Sequence, residues 1–182
     1  GNDTVTITAG SISGALNLGT GTDSLSYAGY SSAVSATLNG TNALTSVTAI
    51  GGGVTGVENI TLSSNNDTFT VGNGGTLGGN LDLGTGSDTL SYSGYSSAVT
   101  VSLNGATSTA AGGATGIIGT VSSFESLVGG SGSDTLNAQS GVNTLTVAAG
   151  GTTTLDTSLT VSGFETLNTL CLLYTSDAAD DS

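Results

Sequence analysis

Leu16–Gly40 reads LNLGTGTDSLSYAGYSSAVSATLNG, and Leu81–Gly105 reads LDLGTGSDTLSYSGYSSAVTVSLNG, sixty-five positions further on. After a two-residue insertion the match resumes: Val57-Glu58-Asn59-Ile60 answers Phe124-Glu125-Ser126-Leu127, and Asn66-Asp67-Thr68-Phe69 answers Ser133-Asp134-Thr135-Leu136. A self-match of this length is the mark of stacked supersecondary units, so the function is expected in the repeated scaffold. The units run over about 3–66 and 67–133, with a partial third over 134–170.

Working outward, period-two alternation recurs in Thr4-Val5-Thr6-Ile7-Thr8, in Ala98–Leu103 and in Asn143–Val147. Each reads as a strand with one face buried. No segment keeps a 3.6-residue period between caps, so the chain is expected to be all-β. Asp-centred turns set the coil length. Asp3 to Asp23 spans 20 residues, Asp67 to Asp88 spans 21 and Asp134 to Asp156 spans 22. The longer intervals, Asp23 to Asp67 (44) and Asp88 to Asp134 (46), then hold two coils each. These spacings favour a parallel β-solenoid, or β-roll-like array, over a hairpin-built sandwich. They also place Asp67 and Asp88 on adjacent coils.

Composition narrows the function. The chain has no Lys, Arg, His, Pro, Met or Trp, and its formal net charge is −13. Nucleic acid needs cationic side chains against phosphate, and an anionic membrane surface needs the same, so neither is an expected partner. Unpaired carboxylates take water and hard divalent cations instead. A hydrophobic content of 36% and 31 glycines fit a folded, turn-rich β array rather than disorder. No apolar run is long enough for a spanning helix, so no membrane insertion is expected. Without His, Lys or Arg a serine nucleophile lacks its usual base, and no acid departs from the repeat, so the chain is not read as an enzyme.

The two ends differ. Gly1-Asn2-Asp3-Thr4-Val5 aligns with Asn66-Asp67-Thr68-Phe69, so the chain is expected to begin mid-array. From Cys171 the texture changes to CLLYTSDAADDS, which holds the single Cys and three of the 13 acids. This string resembles a translated transposon-type sequencing adaptor. Residues 171–182 are read as a non-native tail that adds no strand. Without that Cys the array offers no disulfide and no thiolate ligand.

The motif with chemistry lies at Gly129-Gly130-Ser131-Gly132-Ser133-Asp134-Thr135-Leu136-Asn137, a full match to Gly-Gly-x-Gly-x-Asp-x-U-x, with U a large apolar residue. Leu18–Ser26, with Gly19, Gly21 and Asp23, matches except at the first glycine, as does Leu83–Ser91, with Gly84, Gly86 and Asp88. Asp67 and Asp3 sit in weaker or truncated copies. Glycine permits the tight turn, Asp supplies charge and the apolar residue plugs the core.

These nonapeptides resemble those of the repeats-in-toxin (RTX) family of secreted bacterial proteins. Ser91-Tyr92-Ser93-Gly94-Tyr95 and Phe124–Gly130 are similar to the spacer repeats of its long adhesins. The resemblance implies Ca²⁺ in the turns, type I secretion and calcium-dependent folding outside the cell. Its candidate metal residues are Asp134, Gly130, Gly132, Asp88, Gly84, Gly86, Asp23, Gly19, Gly21, Asp67 and Asp3. The departure is that nonapeptides here occur singly, not in tandem. Two readings of the turns therefore stand: they hold Ca²⁺, or Asp only closes a corner by bonding backbone amides.

The expected function is a structural or adhesive segment of a large secreted or surface-attached bacterial protein, with divalent cations and a host surface or glycan as partners. The alternative is a calcium-free passenger of the autotransporter-adhesin type. Glu58, Glu125 and Glu165 are read as the solvent face of alternating strands. Tyr27/Tyr30 and Tyr92/Tyr95 are read as covering a face or an edge, with sugar stacking as the other reading.

Overall fold

The computed structural model of the 182-residue chain describes residues 1–103, 109–110, 113–138, 143–147, 153–155, 159–168 and 172–175. All described regular structure is β. The first repeat carries β1 (Thr4–Thr6), β2 (Leu16–Asn17), β3 (Ser24–Ser26), β4 (Ser35–Leu38), β5 (Ala43–Val47), β6 (Val54–Thr55) and β7 (Asn59–Thr61). The second carries β8 (Thr68–Val71), β9 (Leu81–Asp82), β10 (Thr89–Ser91), β11 (Thr100–Ser102), β12 (Thr109–Ala110), β13 (Val121–Ser122) and β14 (Ser126–Val128). Then follow β15 (Thr135–Asn137), β16 (Asn143–Val147), β17 (Thr153–Leu155), β18 (Leu159–Ser162), β19 (Thr166–Asn168) and β20 (Leu172–Thr175).

The strands form three mostly parallel sheets: β1-β3-β7-β9-β13-β12, β2-β6-β5-β4-β8-β10-β14-β18-β17-β16-β20, and β11-β15-β19. Alternation does what it should. Val5, Leu25, Ile60, Leu81 and Val121 pair in succession along the first sheet, and Ala36, Phe69, Leu90, Leu127 and Val161 along the second. Nearly all of these are buried in one core, while most of their Ser and Thr neighbours, Ser91 excepted, are more exposed. Each large apolar side chain so buried stabilises the fold by about 1.5–3 kcal/mol.

The sequence repeat reappears as repeated pairing, shifted sideways. Ser24↔Asn59 of β3/β7 becomes Thr89↔Ser126 of β10/β14, which lies in the second sheet rather than the first. Ser35↔Thr68 of β4/β8, in the second sheet, becomes Thr100↔Thr135 of β11/β15, in the third. Likewise Leu16↔Val54 of β2/β6 becomes Leu81↔Val121 of β9/β13. Each pairing therefore recurs in a different sheet from its counterpart, the last of them moving from the second sheet to the first.

Two expectations are corrected here. The long Asp23–Asp67 interval does not stack two coils, because Ser24 pairs directly with Asn59. The extra residues fold into an antiparallel excursion, β4/β5 and β5/β6, and the second repeat begins the same excursion with the Val101↔Ala114 bridge. The tail also adds a strand: β20 pairs in parallel with β16, Asn143 opposite Leu172.

Candidate functional site

The Asp turns occupy one recurring place, the residue just before a strand. Strand register sets Asp3 beside Asp23 and Asp23 beside Glu58. In the second sheet it sets Asp67 beside Asp88 and Asp88 beside Glu125, and in the third Asp134 beside Glu165. The expected approach of Asp67 and Asp88 is thus met, since the Asp67 amide donates to Asp88 Oδ1 at 2.7 Å.

Each carboxylate accepts from the backbone of the preceding rung. Asp23 Oδ1 accepts from the Asp3 amide at 2.6 Å, Asp67 Oδ1 from Val34 at 2.7 Å and Asp134 Oδ1 from Val99 at 2.9 Å. Asp23, Asp67, Asp88 and Asp134 are all buried, whereas Asp3 is exposed. The second carboxylate oxygen divides them into two kinds. Asp67 Oδ2 accepts from the Ser63 amide and hydroxyl at 2.7 and 3.0 Å, and Asp134 Oδ2 from the Gly130 amide at 2.5 Å. Asp23 Oδ2 and Asp88 Oδ2 are buried with no partner among the described residues.

The cause is local. In the closed turns the amide four residues before the Asp points at its carboxylate. In the open turns that amide belongs to Gly19 or Gly84, and a nearer acceptor captures it: Asn17 Oδ1 at 3.1 Å, or Asp82 Oδ1 at 3.2 Å. These are Asx turns. The captured glycines and their partners two residues on hold left-handed φ, +92° and +143° at Gly19 and Gly21, +97° and +149° at Gly84 and Gly86. Gly130 and Gly132 serve another purpose. A Cβ on either would collide with the backbone of Tyr95 or Ser97.

The glutamates are not solvent-face residues alone. Glu58 Oε2 accepts from the Asp23 amide at 2.7 Å, Glu125 Oε2 from Asp88 at 2.8 Å and Glu165 Oε2 from Asp134 at 2.6 Å. Each glutamate amide in turn donates to the carbonyl of that same Asp. The tyrosines also differ from expectation. Tyr27 and Tyr92 are core residues whose hydroxyls donate to Thr48 and Thr115 carbonyls at 2.6 and 2.9 Å. Burial raises both phenols far above their ordinary range, and both make edge-to-face pairs with half-buried Tyr30 and Tyr95. Neither buried ring offers a face to a sugar.

Burial pushes the Asp88 carboxyl up to about 6, and the charges of Asp67, Glu125 and Asp82 add to it, while the Asp67 amide opposes the shift. With no Lys, Arg or His in the chain, no side chain neutralises this column.

Fit to a divalent cation is partial. Asp23 and Asp88 each keep one unused oxygen, whereas Asp67 and Asp134 have spent both. The turn with the fullest motif, at Asp134, is therefore one of the two whose carboxylate has no oxygen left over for an ion. Among the described residues no three acidic side chains converge as a metal-ligand group. Asp156 lies outside the described residues, and no described helix is long and apolar enough to cross a membrane. Comparison with family models, curated proteins and solved structures gives no match.

Proposed function

We propose that the chain is a scaffold: a β-solenoid segment, stalk-like or adhesive, of a large secreted or surface-attached bacterial protein of RTX-like design. One observation carries this reading, the reappearance of the first repeat's strand pairings in the second repeat, each in a different sheet. Such an operator extends an array without limit, since each unit needs only its neighbours. The buried carboxylates fit the same role, as acceptors that finish the ladder at each strand entry. A host surface or glycan is the partner such a scaffold would meet, and export by type I secretion goes with the family resemblance.

A second reading, Ca²⁺ held at the Asp23 and Asp88 turns, is favoured by their two unpartnered buried oxygens. Hard cations take carboxylate and carbonyl oxygen, and would offset charge that no side chain here offsets. The experiment is circular dichroism and melting of the intact chain in EDTA, in Ca²⁺ and in Mg²⁺ at equal ionic strength. The scaffold reading expects a folded, cooperative β protein in EDTA. A calcium site would add RT ln(1 + [Ca²⁺]/Kd), about 2.7 kcal/mol at a hundredfold excess, with no equal gain from Mg²⁺. A chain unfolded in all three would overturn both readings.

A further inference from the structure

The geometry points to a self-modification site at Asn39-Gly40, the tip of the β4/β5 hairpin, where the chain converts asparagine to isoaspartate and aspartate with water as the only reagent. Asn-Gly occurs three times, at Asn39, Asn73 and Asn104, and Asn104 lies outside the described residues. The reaction needs the amide nitrogen of the following residue to reach the asparagine Cγ. Glycine, without a Cβ, leaves that approach open. The structure then decides which asparagine is free to use it.

At Asn39 both partners are free. Asn39 is exposed, and its carboxamide makes no hydrogen bond among the described residues, resting instead on the bare backbone of Gly72. The Gly40 amide donates to nothing among the described residues, and its φ of +140° is one that favours glycine. Strand β4 is flanked on both sides, by β5 and by β8, so this exposure belongs to the hairpin itself. Asn73 is exposed too, and the Gly74 amide is as unengaged as that of Gly40. Its carboxamide, however, is held at both ends. Asn73 Nδ2 donates to Ser96 Oγ at 3.0 Å, and the Ser96 amide donates to Asn73 Oδ1 at 3.0 Å. Those two bonds keep the Asn73 Cγ from turning onto the Gly74 nitrogen.

The Gly40 nitrogen, once its proton has passed to solvent, attacks Cγ of Asn39. The N–Cγ bond forms as the Cγ–Nδ2 bond breaks, and Nδ2 takes up a proton and leaves as ammonia, closing a cyclic imide. Water then opens the ring. Breaking the N–Cγ bond gives aspartate, and breaking the bond from that nitrogen to the backbone carbonyl carbon gives isoaspartate, with the main chain running through Cγ. In both cases the nitrogen regains its proton, water replaces ammonia and nothing is oxidised or reduced. The product adds a negative charge to a chain that has no basic side chain. Isoaspartate also lengthens the main chain where the Asn39 amide meets the Ala43 carbonyl at 3.1 Å and the Gly40 carbonyl accepts from the Thr76 amide at 3.0 Å. Conversion therefore loosens the hold of the hairpin tip on the next coil.

Incubation of the intact chain at neutral pH in ¹⁸O-water tests this, read by peptide mass mapping and by methyl transfer to isoaspartate with an isoaspartyl methyltransferase. The Asn39 peptide is expected to take up heavy oxygen and to accept methyl groups about tenfold or more faster than the Asn73 peptide, which must first break its bonds to Ser96. The rate at Asn39 should climb with pH, because the attacking amide must lose its proton. Asn39→Gln, at an exposed position, should silence the reaction there. In urea, with the bonds to Ser96 gone, the two peptides should convert at like rates. The Thr76 amide should exchange with solvent faster in converted copies. An Asn39 no faster than Asn73 in the folded chain, or a difference that persists in urea, would overturn the proposal. So would oxygen uptake in that peptide that survives Asn39→Gln, or a Thr76 amide that exchanges no faster after conversion.

Discussion

Asp67 and Asp88 sit on adjacent rungs of one sheet, and their carboxylates are used differently. Asp67 spends both oxygens, on Val34 and on Ser63. Asp88 spends one, on Asp67 itself, and buries the other unpaired. The repeat copies the contrast: Asp134 is closed like Asp67, and Asp23 open like Asp88. What separates them is a single competitor six residues upstream, Asn17 or Asp82, which takes the turn amide that the Asp would otherwise bind. A buried unpaired polar atom costs about 1–3 kcal/mol, more when it is charged, so the open turns are the strained half of the pattern.

The largest effect should come from cutting both kinds back to alanine. Asp134→Ala strands the Gly130 and Val99 amides, a loss of about 2–5 kcal/mol in urea unfolding. Asp23→Ala strands only the Asp3 amide and should cost about half as much. Equal losses would erase the distinction between the turns.

The pH dependence follows from Asp88. Its carboxyl moves from the ordinary 3.8 up to about 6 in the folded chain, so the folded state holds the proton more tightly than the unfolded one. Its contribution is therefore full below about pH 4, declines as pH rises toward 6, and is absent above that. The loss is on the order of 2 kcal/mol. Urea midpoints between pH 4 and 7 should show the decline, and Asp88→Asn should flatten it. A decline that persists in the variant would assign it elsewhere.

A smaller change, about 1 kcal/mol, is expected from Tyr92→Phe, which leaves the Thr115 carbonyl without its buried donor. Smallest in stability but informative is Asp82→Ala. It removes a neighbouring charge and releases the Gly84 amide toward Asp88 Oδ2. The Asp88 carboxyl should then titrate lower, as ¹³C NMR of its side chain would read. An unmoved titration would mean that Asp82 is not the competitor.

Much of this was legible in residue spacing. Rungs one short coil apart put Asp3 beside Asp23 and Asp67 beside Asp88, and the apolar position of the nonapeptide picked out Leu25 and Leu90 as core. The long intervals misled because they were divided by coil length alone. Asn39-Gly40-Thr41-Asn42 between alternating runs was a hairpin signal already present in the chain. Missing that hairpin hid the register that brings Glu58 to Asp23, so the glutamates looked like surface residues. The motif also ranked the turns by glycine content. Whether an oxygen stays free depends instead on a rival acceptor at Asn17 or Asp82, outside the nonapeptide.

The most direct test is one substitution made in two places: Asp→Asn at position 67 and at position 88, compared by urea unfolding at pH 7. An asparagine at 88 keeps the oxygen that accepts from the Asp67 amide and replaces the unpaired charged oxygen with a neutral group. Stability should hold or rise. At 67 the amide nitrogen must face either Ser63 or Val34, both donors, and stability should fall by about 2 kcal/mol. The same sign at both sites would contradict the account of closed and open turns.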